Sequence, residues 1–270
     1  MPLTLVPTPI GNLEDITLRA LRVLKEADLI ACEDTRTSSV LLKRYHIVKP
    51  LISLHRYNEK ERTARLVAAL GEGKRVAVIS DAGTPGISDP GFLLLQAARS
   101  AGFEVDVLPG PSALLPAVLL SGLPPHPFVF CGFPPEKPGA RKKFFASLAP
   151  LSYTLIFYVS PHKADRQLAG MIESWGDRPA ALVREISKVY QEAVRGTLSG
   201  IAARLEEGLK GEMVLVVAGK EQDASDDWRE RARELRAGGR FAREIAEEIA
   251  ELYNVPKNAV KEFLMNDRQP

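Results

Sequence analysis

The sequence predicts an α/β protein of two domains followed by a small helical module, and three observations carry that reading. Over residues 1–121, short apolar runs alternate with amphipathic stretches of helical spacing, the pattern of a parallel sheet covered on both faces. The break Ser121-Gly122-Leu123-Pro124-Pro125 then separates this region from a second set of strand-like runs. Last, the acidic stretch Gln222 to Asp227 gives way to a tail with helical periodicity. The expected domains are therefore 1–121, a parallel α/β domain; 122–222, a second α/β domain; and 223–270, a helical tail.

In the first domain the expected strands are Leu3–Pro7, Asp28–Cys32, Leu51–Leu54, Arg75–Ile79 and Glu104–Leu108. Helical spacing covers Asn58 to Leu70, where Asn58 and Glu61 suit a capping-box-like start, and again Phe92 to Ala101. In the second domain Phe128–Gly132, Thr154–Val159, Ala180–Arg184 and Met213–Val217 read as strands, and Pro134 to Lys143 as a surface loop. In the tail, Phe241, Ile245, Ile249 and Leu252 form one apolar stripe. After Asn254 a second short helix begins near Pro256, with Val260, Phe263 and Leu264 inward. Two short helices joined by a tight turn resemble a helix-turn-helix. Residues 223–270 carry nine basic and eleven acidic groups, which favours a docking module over a DNA reader.

Apolar residues make up 45% of the 270, enough for a sizeable core, yet no apolar run approaches the roughly eighteen residues of a membrane span. The N-terminus runs straight into a strand without a signal peptide, and Cys32 and Cys131 each sit in a strand-like run. Both facts suggest a reduced cytoplasmic protein with buried thiols and neither a disulfide nor a metal ligand. Ten Asn and Gln together, and 22 Arg against 14 Lys, are in keeping with a heat-adapted composition. Net charge is only +2, but Arg36 to Arg65 holds eight Lys/Arg against Glu59 and Glu61, with His46 and His55 in the same window. Such a segment is either a phosphate footprint, through groups such as Arg36, Arg44, His55 and Arg56, or a solvated helical face.

The chemistry concentrates in two loops at strand ends. Ser80 to Gly91, S-D-A-G-T-P-G-I-S-D-P-G, leaves the strand ending at Ile79; Pro109-Gly110-Pro111-Ser112-Ala113 leaves the strand ending at Leu108. Ligands of open α/β sheets bind at that edge, glycines admit close approach, and prolines stiffen the loop before anything binds. There is no Walker-type loop, no G-x-G-x-x-G, no H-E-x-x-H and no C-x-x-C pair. What is left is a small, polar ligand held by backbone groups between two domains.

These residues carry a family resemblance. The chain resembles the class III, tetrapyrrole-methylase-type S-adenosylmethionine-dependent methyltransferases, and among them the bacterial branch that methylates the ribose 2′-oxygen of a 16S rRNA cytidine. The matching segments are L-V-P-T-P-I-G-N-L-E-D-I (Leu5 to Ile16), C-E-D-T-R (Cys32 to Arg36), the Ser80–Gly91 loop and P-G-P-S-A (Pro109 to Ala113). Further on they are S-G-L-P (Ser121 to Pro124), R-E-I-S-K (Arg184 to Lys188) and G-E-M-V-L-V-V (Gly211 to Val217). Three positions depart from the branch's pattern. Val159 stands where a Glu is expected, Lys163 where an Arg is expected, and Tyr57 where a second His is common.

The resemblance implies a tetrapyrrole-methylase-like fold with S-adenosylmethionine folded in the interdomain cleft, a homodimer, and rRNA of the small ribosomal subunit as substrate. It implies cofactor contacts from Thr8, Pro9, Ile10, Ser80, Asp81, Ala82, Gly83, Thr84, Ser112 and Ala113, with Tyr158 and Met213 from the second domain. Asp81 is then either a cofactor acceptor or a capping carboxylate at a turn. A ribose hydroxyl is a poor nucleophile, so a base is expected among Asp34, Glu185 and Lys188, with Asp89 a further candidate. Asp34 and Arg36 equally suit a pair that braces their loop. Arg36, Arg44, His55, Arg56 and Arg184 are the expected RNA contacts. A corrin or tetrapyrrole C-methyltransferase of the same fold, and a non-catalytic RNA-binding assembly factor, are the alternative readings.

Overall fold

The computed structural model describes residues 2–221, 224–253 and 255–267. The chain divides into two compact units, Met1–Gly219 and Lys220–Pro270. In the first unit the elements run β1 (Leu3–Leu5), α1 (Leu18–Glu26), β2 (Leu29–Cys32), α2 (Thr35–Arg44), β3 (Leu51–Ser53), α3 (Glu59–Gly71), β4 (Val76–Ile79), α4 (Phe92–Ser100), β5 (Val105–Val107) and α5 (Leu114–Ser121). There follow β6 (Phe128–Gly132), α6 (Pro138–Leu148), β7 (Thr154–Val159), α7 (Ala164–Trp175), β8 (Pro179–Arg184), β9 (Glu192–Thr197), α8 (Leu198–Glu206) and β10 (Met213–Val217).

The first sheet is parallel throughout, in the order β3-β2-β4-β1-β5. Alternation sends successive β4 side chains to opposite faces. Ala77 and Ile79 pack with Leu24 of α1 and Leu41 and Leu42 of α2, while Val76 and Val78 pack with Leu66 of α3 and Leu94 of α4. Neighbouring β1 and β4 send their connections opposite ways, β1 toward β2 and β4 toward β5. The crevice where such connections diverge is the ligand site of a doubly wound sheet.

The second sheet is mixed, in the order β6-β7-β10-β8-β9, with β6 parallel to β7 and the other pairs antiparallel. Leu155, Phe157 and Val159 face the core built with Phe145, Leu168 and Ile201, from α6, α7 and α8. Ile156, Val214 and Val216 face Ala117 and Val118 of α5. Thus α5, which precedes the Ser121–Pro125 break, packs on the second sheet; Gly122 ends it in the left-handed region at φ 76°.

All nine strands expected from the sequence form, and the first-sheet strands are shorter by a residue or two at their ends. Three expectations are corrected and one strand was not foreseen. Asn58 does not cap α3: its Oδ1 accepts from the His55 amide and its Nδ2 donates to the Ser53 carbonyl, so the side chain serves the loop before the helix. Much of Pro134–Lys143 is helical, since Pro138 sits at the first turn of α6, where a missing N–H costs nothing. Strand β9 carried no signal, being a half-polar edge strand paired on one side only. In the tail Phe241 and Leu252 are 76% and 65% exposed, so the expected stripe is narrower.

The second unit contains α9 (Ala224–Ala237), α10 (Ala242–Tyr253) and α11 (Lys257–Asn266). Its core joins Trp228 and Ala232 to Ile245, Ala246 and Ile249 of α10 and to Val260 and Leu264 of α11. The buried residues of α10 are Ile245, Ala246 and Ile249, and Phe241, just before the helix, and Leu252, in its last turn, stay outside that core. Helix α9 begins inside the stretch read as an acidic lead-in. Gln222 and Asp223 of that stretch, and the turn residue Asn254, lie outside the described residues. Cys32 is buried and Cys131 half-buried, both as free thiols in strands.

Candidate active-site cleft

The loops after β1 and β4 are locked together before any ligand arrives. The Thr8 amide donates to the Gly83 carbonyl and the Gly83 amide to the Thr8 carbonyl, each at 2.9 Å. Buried Thr8 Oγ1 donates to the Ser80 carbonyl at 2.9 Å, and Ser80 Oγ donates to the carbonyls of Ala82 and Gly83. Gly83 takes φ 74° in this turn, a left-handed conformation in which any side chain would be strained. At the far end of the loop, the Gly91 amide donates to Glu59 Oε1 at 2.8 Å.

A cleft of about 700 Å³ opens above this brace, in the size range of small-molecule sites. The first sheet contributes Ile10, the run Ala82–Thr84, the run Ile87–Asp89 and the segment Ser112–Leu114. From the second sheet come Phe130, Phe133, Tyr158–Pro161, Ile186 and Glu212–Val214. Of the cofactor residues expected from the resemblance, Ile10, Ala82, Gly83, Thr84, Ser112, Ala113, Tyr158 and Met213 line this cleft. Thr8 and Ser80 lie behind it as braces, with Pro9 between Thr8 and Ile10, and Asp81 stands beside it. The Ser112 hydroxyl accepts from the Leu114 amide at the start of α5.

Glu212, Phe133 and Ile186 were not foreseen. Met213 pairs with Val159 in antiparallel register, which brings the start of β10 to the edge where β7 ends. That juxtaposition depends on strand order and direction in the mixed sheet, which a local sequence pattern does not encode.

The cleft lining includes two carboxylates, Asp89 and Glu212, and neither Lys nor Arg. Half-buried Asp89 is raised above the ordinary aspartate range by burial, with the Asp81 charge adding to it and Ser80 and Arg56 opposing. Glu33 is raised by burial and then by Asp89 and Asp81. Burial also raises the Tyr158 phenol, and Asp89 contributes, so these two groups sense each other from opposite walls. Among the described residues no cluster of three or more His, Cys, Asp or Glu could hold a metal ion.

The expected base candidates other than Asp89 do not line the cleft. Asp34 caps α2: its Oδ1 accepts from the Arg36 amide at 2.8 Å and its Oδ2 from the Arg36 guanidinium at 2.7 Å. Those two bonds draw its pKa down to about 2. The Asp34 amide in turn donates to Asp81 Oδ1. Glu185 has φ 50°, and its Oε1 accepts from the Glu212 amide at 2.9 Å and from Lys188 Nζ at 3.0 Å. These contacts hold it below the usual glutamate range, the amide contributing most. Lys188 also reaches Glu212 Oε2 at 3.0 Å. The triad fixes the start of β10, so Glu185 and Lys188 shape the cleft wall from behind.

The expected RNA contacts fall into two groups. Arg36 opens α2 just after β2, Arg44 closes the same helix, and His55 and Arg56 lie on the loop after β3, the strand beside β2; Arg36, Arg44 and Arg56 are exposed. His55 is half-buried, its Nε2 hydrogen-bonded to the Asn58 amide group and its ring edge-on to fully projecting Tyr57. Arg184 stands apart, its Nε donating to Glu192 at 2.8 Å and its Nη1 to the Lys210 carbonyl at 2.9 Å.

No helix among the described residues is long and apolar enough to cross a membrane. Comparison with known proteins places this geometry in context. Residues 2–202 match the family model of the tetrapyrrole (corrin/porphyrin) methylases. The chain is 46% identical over 223 residues to the ribosomal RNA small subunit methyltransferase I of Streptococcus pyogenes serotype M3, covering 82% of this chain and 78% of that protein. It is 40% identical over 268 residues to the protein of the same name from Bacillus subtilis, covering 96% and 92%. Among solved structures, the uroporphyrin-III-C-methyltransferase of Thermus thermophilus superposes with a TM-score of 0.59 at 26% identity, over 81% of this chain and 94% of that one. With its two sheets, its braced β1 and β4 loops and these relatives, the chain belongs to the tetrapyrrole methylase family, in the branch of the ribosomal RNA small subunit methyltransferases I, and is a methyltransferase.

Proposed function

We propose that the chain methylates the ribose 2′-oxygen of a decoding-centre cytidine in 16S rRNA, with S-adenosylmethionine as methyl donor. The observation that carries this reading is the cleft's charge: acidic groups without a basic one, at the switch point of a doubly wound sheet. Such a lining suits a ligand bearing a cationic sulfonium and disfavours one rich in phosphate. S-adenosylmethionine fits the other residues present as well. Ile10, Ala113, Leu114 and Val214 offer apolar walls, and Thr84, Ser88 and Ser112 offer hydroxyls. When bound, the donor supplies an electrophilic methyl group; the protein's part is to hold it, exclude water and bring the acceptor hydroxyl into line.

The acceptor side rests on the exposed basic groups Arg36 and Arg56, which follow the ends of β2 and β3 at the sheet edge of the cleft and suit an RNA backbone, with exposed Arg44 at the other end of α2. The relatives at 40% and 46% identity are named for ribosomal RNA, which favours RNA over a tetrapyrrole acceptor. A cytoplasmic homodimer acting on the small ribosomal subunit completes the reading.

The test is methyl transfer from labelled S-adenosylmethionine to three acceptors: small subunits lacking the modification, naked 16S rRNA, and a precorrin. Label in RNA, and its absence from the precorrin, is the expected result. Label in the precorrin alone would replace the reading with tetrapyrrole C-methylation, and donor binding without transfer to any acceptor would reject both.

A further inference from the structure

Methyl transfer to a ribose hydroxyl needs a group that takes the hydroxyl proton, and the cleft narrows the choice. Among the described residues its only lining carboxylates are Asp89 and Glu212. Glu212 has its side chain 72% exposed and its carboxylate paired with Lys188 at 3.0 Å. Asp89 is half-buried, and its charge is not taken up by an ion pair among the described residues. It also sits on a loop held at both ends, by the Thr8–Gly83 bridge on one side and the Gly91–Glu59 hydrogen bond on the other. A fixed, partly desolvated, unpaired carboxylate in a reaction cleft is what general-base catalysis requires.

We propose that Asp89 is the general base, accepting the proton of the acceptor ribose hydroxyl; the inference rests on the ribose-methylation reading above. As the hydroxyl oxygen forms its bond to the methyl carbon, the carbon–sulfur bond breaks and its electron pair stays on sulfur. The hydroxyl proton passes to the Asp89 carboxylate, which returns it to solvent afterwards. The polar and charged groups around Asp89 come from four strands' ends. Ser80 and Asp81 follow β4, Glu33 follows β2, Arg56 follows β3, and Tyr158 ends β7 across the cleft. Burial and then Asp81 raise the basicity of Asp89, while the Ser80 hydrogen bond and Arg56 limit that rise.

The test pairs Asp89→Asn and Asp89→Glu with wild type in single-turnover methyl transfer to small subunits across pH. Donor affinity is read by calorimetry with S-adenosylmethionine, and RNA affinity by filter binding. The expected result for Asp89→Asn is a rate at saturating donor lower by about 10²–10⁴-fold, a loss well beyond any loss of donor affinity and with RNA affinity near wild type, and Asp89→Glu recovers part of it. The acid limb of the wild-type profile, lying above the ordinary aspartate value of 3.8, disappears in Asp89→Asn. A rate within about threefold of wild type, or a loss of rate matched by an equal loss of donor affinity, would overturn the proposal alone. A wild-type protein that binds donor yet methylates no ribose would remove the reading and the proposal with it.

Discussion

At Asp34 the carboxylate accepts from both the amide and the guanidinium of Arg36, and its pKa falls from 3.8 to about 2. Since the folded value lies below the unfolded one, its stabilising contribution is complete above pH 4 and fades as pH falls toward 2. Asp34→Ala is expected to lower Tm at neutral pH, with the difference from wild type shrinking between pH 4 and 2 in thermal melts. Thr8 is a second case of a residue that supports without touching ligand. Thr8→Val removes the buried hydrogen bond to the Ser80 carbonyl, which costs about 1 kcal/mol of stability by denaturant titration. Residue types at this edge were legible in the sequence, and most of the expected cofactor residues do line the cleft. The division of labour was not. Whether a carboxylate caps a helix, as Asp34 does, or faces the cleft, as Asp89 does, depends on side-chain direction rather than on chain position.

Among the elements, the first sheet was the more readable, because parallel strands buried on both faces leave unbroken apolar runs. Strand β9 and the start of β10 were harder, since an edge strand is half polar and antiparallel register is not local information. The segment Glu185–Lys188 illustrates the point. It matches a family motif, yet its carboxylate serves to seat Gly211 and Glu212 at the mouth of β10. Gly211 has φ 100°, and an added Cβ would stand 2.4 Å from Glu185 Oε1. Gly211→Ala is therefore expected to cost about 1–3 kcal/mol and to weaken donor binding, measured by chemical denaturation and calorimetry. Undiminished donor affinity in that variant would argue against coupling between this element and the cleft.

For the whole molecule, the unit Met1–Gly219 has cores on each face of both sheets, and the unit Lys220–Pro270 has its own around Trp228 and Ile249. A chain ending at Gly219 is expected to bind S-adenosylmethionine with unchanged affinity. On the proposed reading, the acid-lined cleft serves the donor and the basic loops beside it serve the RNA. Arg56→Ala should accordingly weaken rRNA binding and reduce the slope of log K against log salt by about 1, with donor affinity unaltered. The most direct measurement of the central claim is nucleoside mass spectrometry of small-subunit rRNA after incubation with S-adenosylmethionine carrying a deuterated methyl group. A 2′-O-methylcytidine bearing the heavy methyl, formed by wild type and lost in Asp89→Asn, is the predicted result. A heavy methyl found on a base, or in no nucleoside at all, would contradict the account.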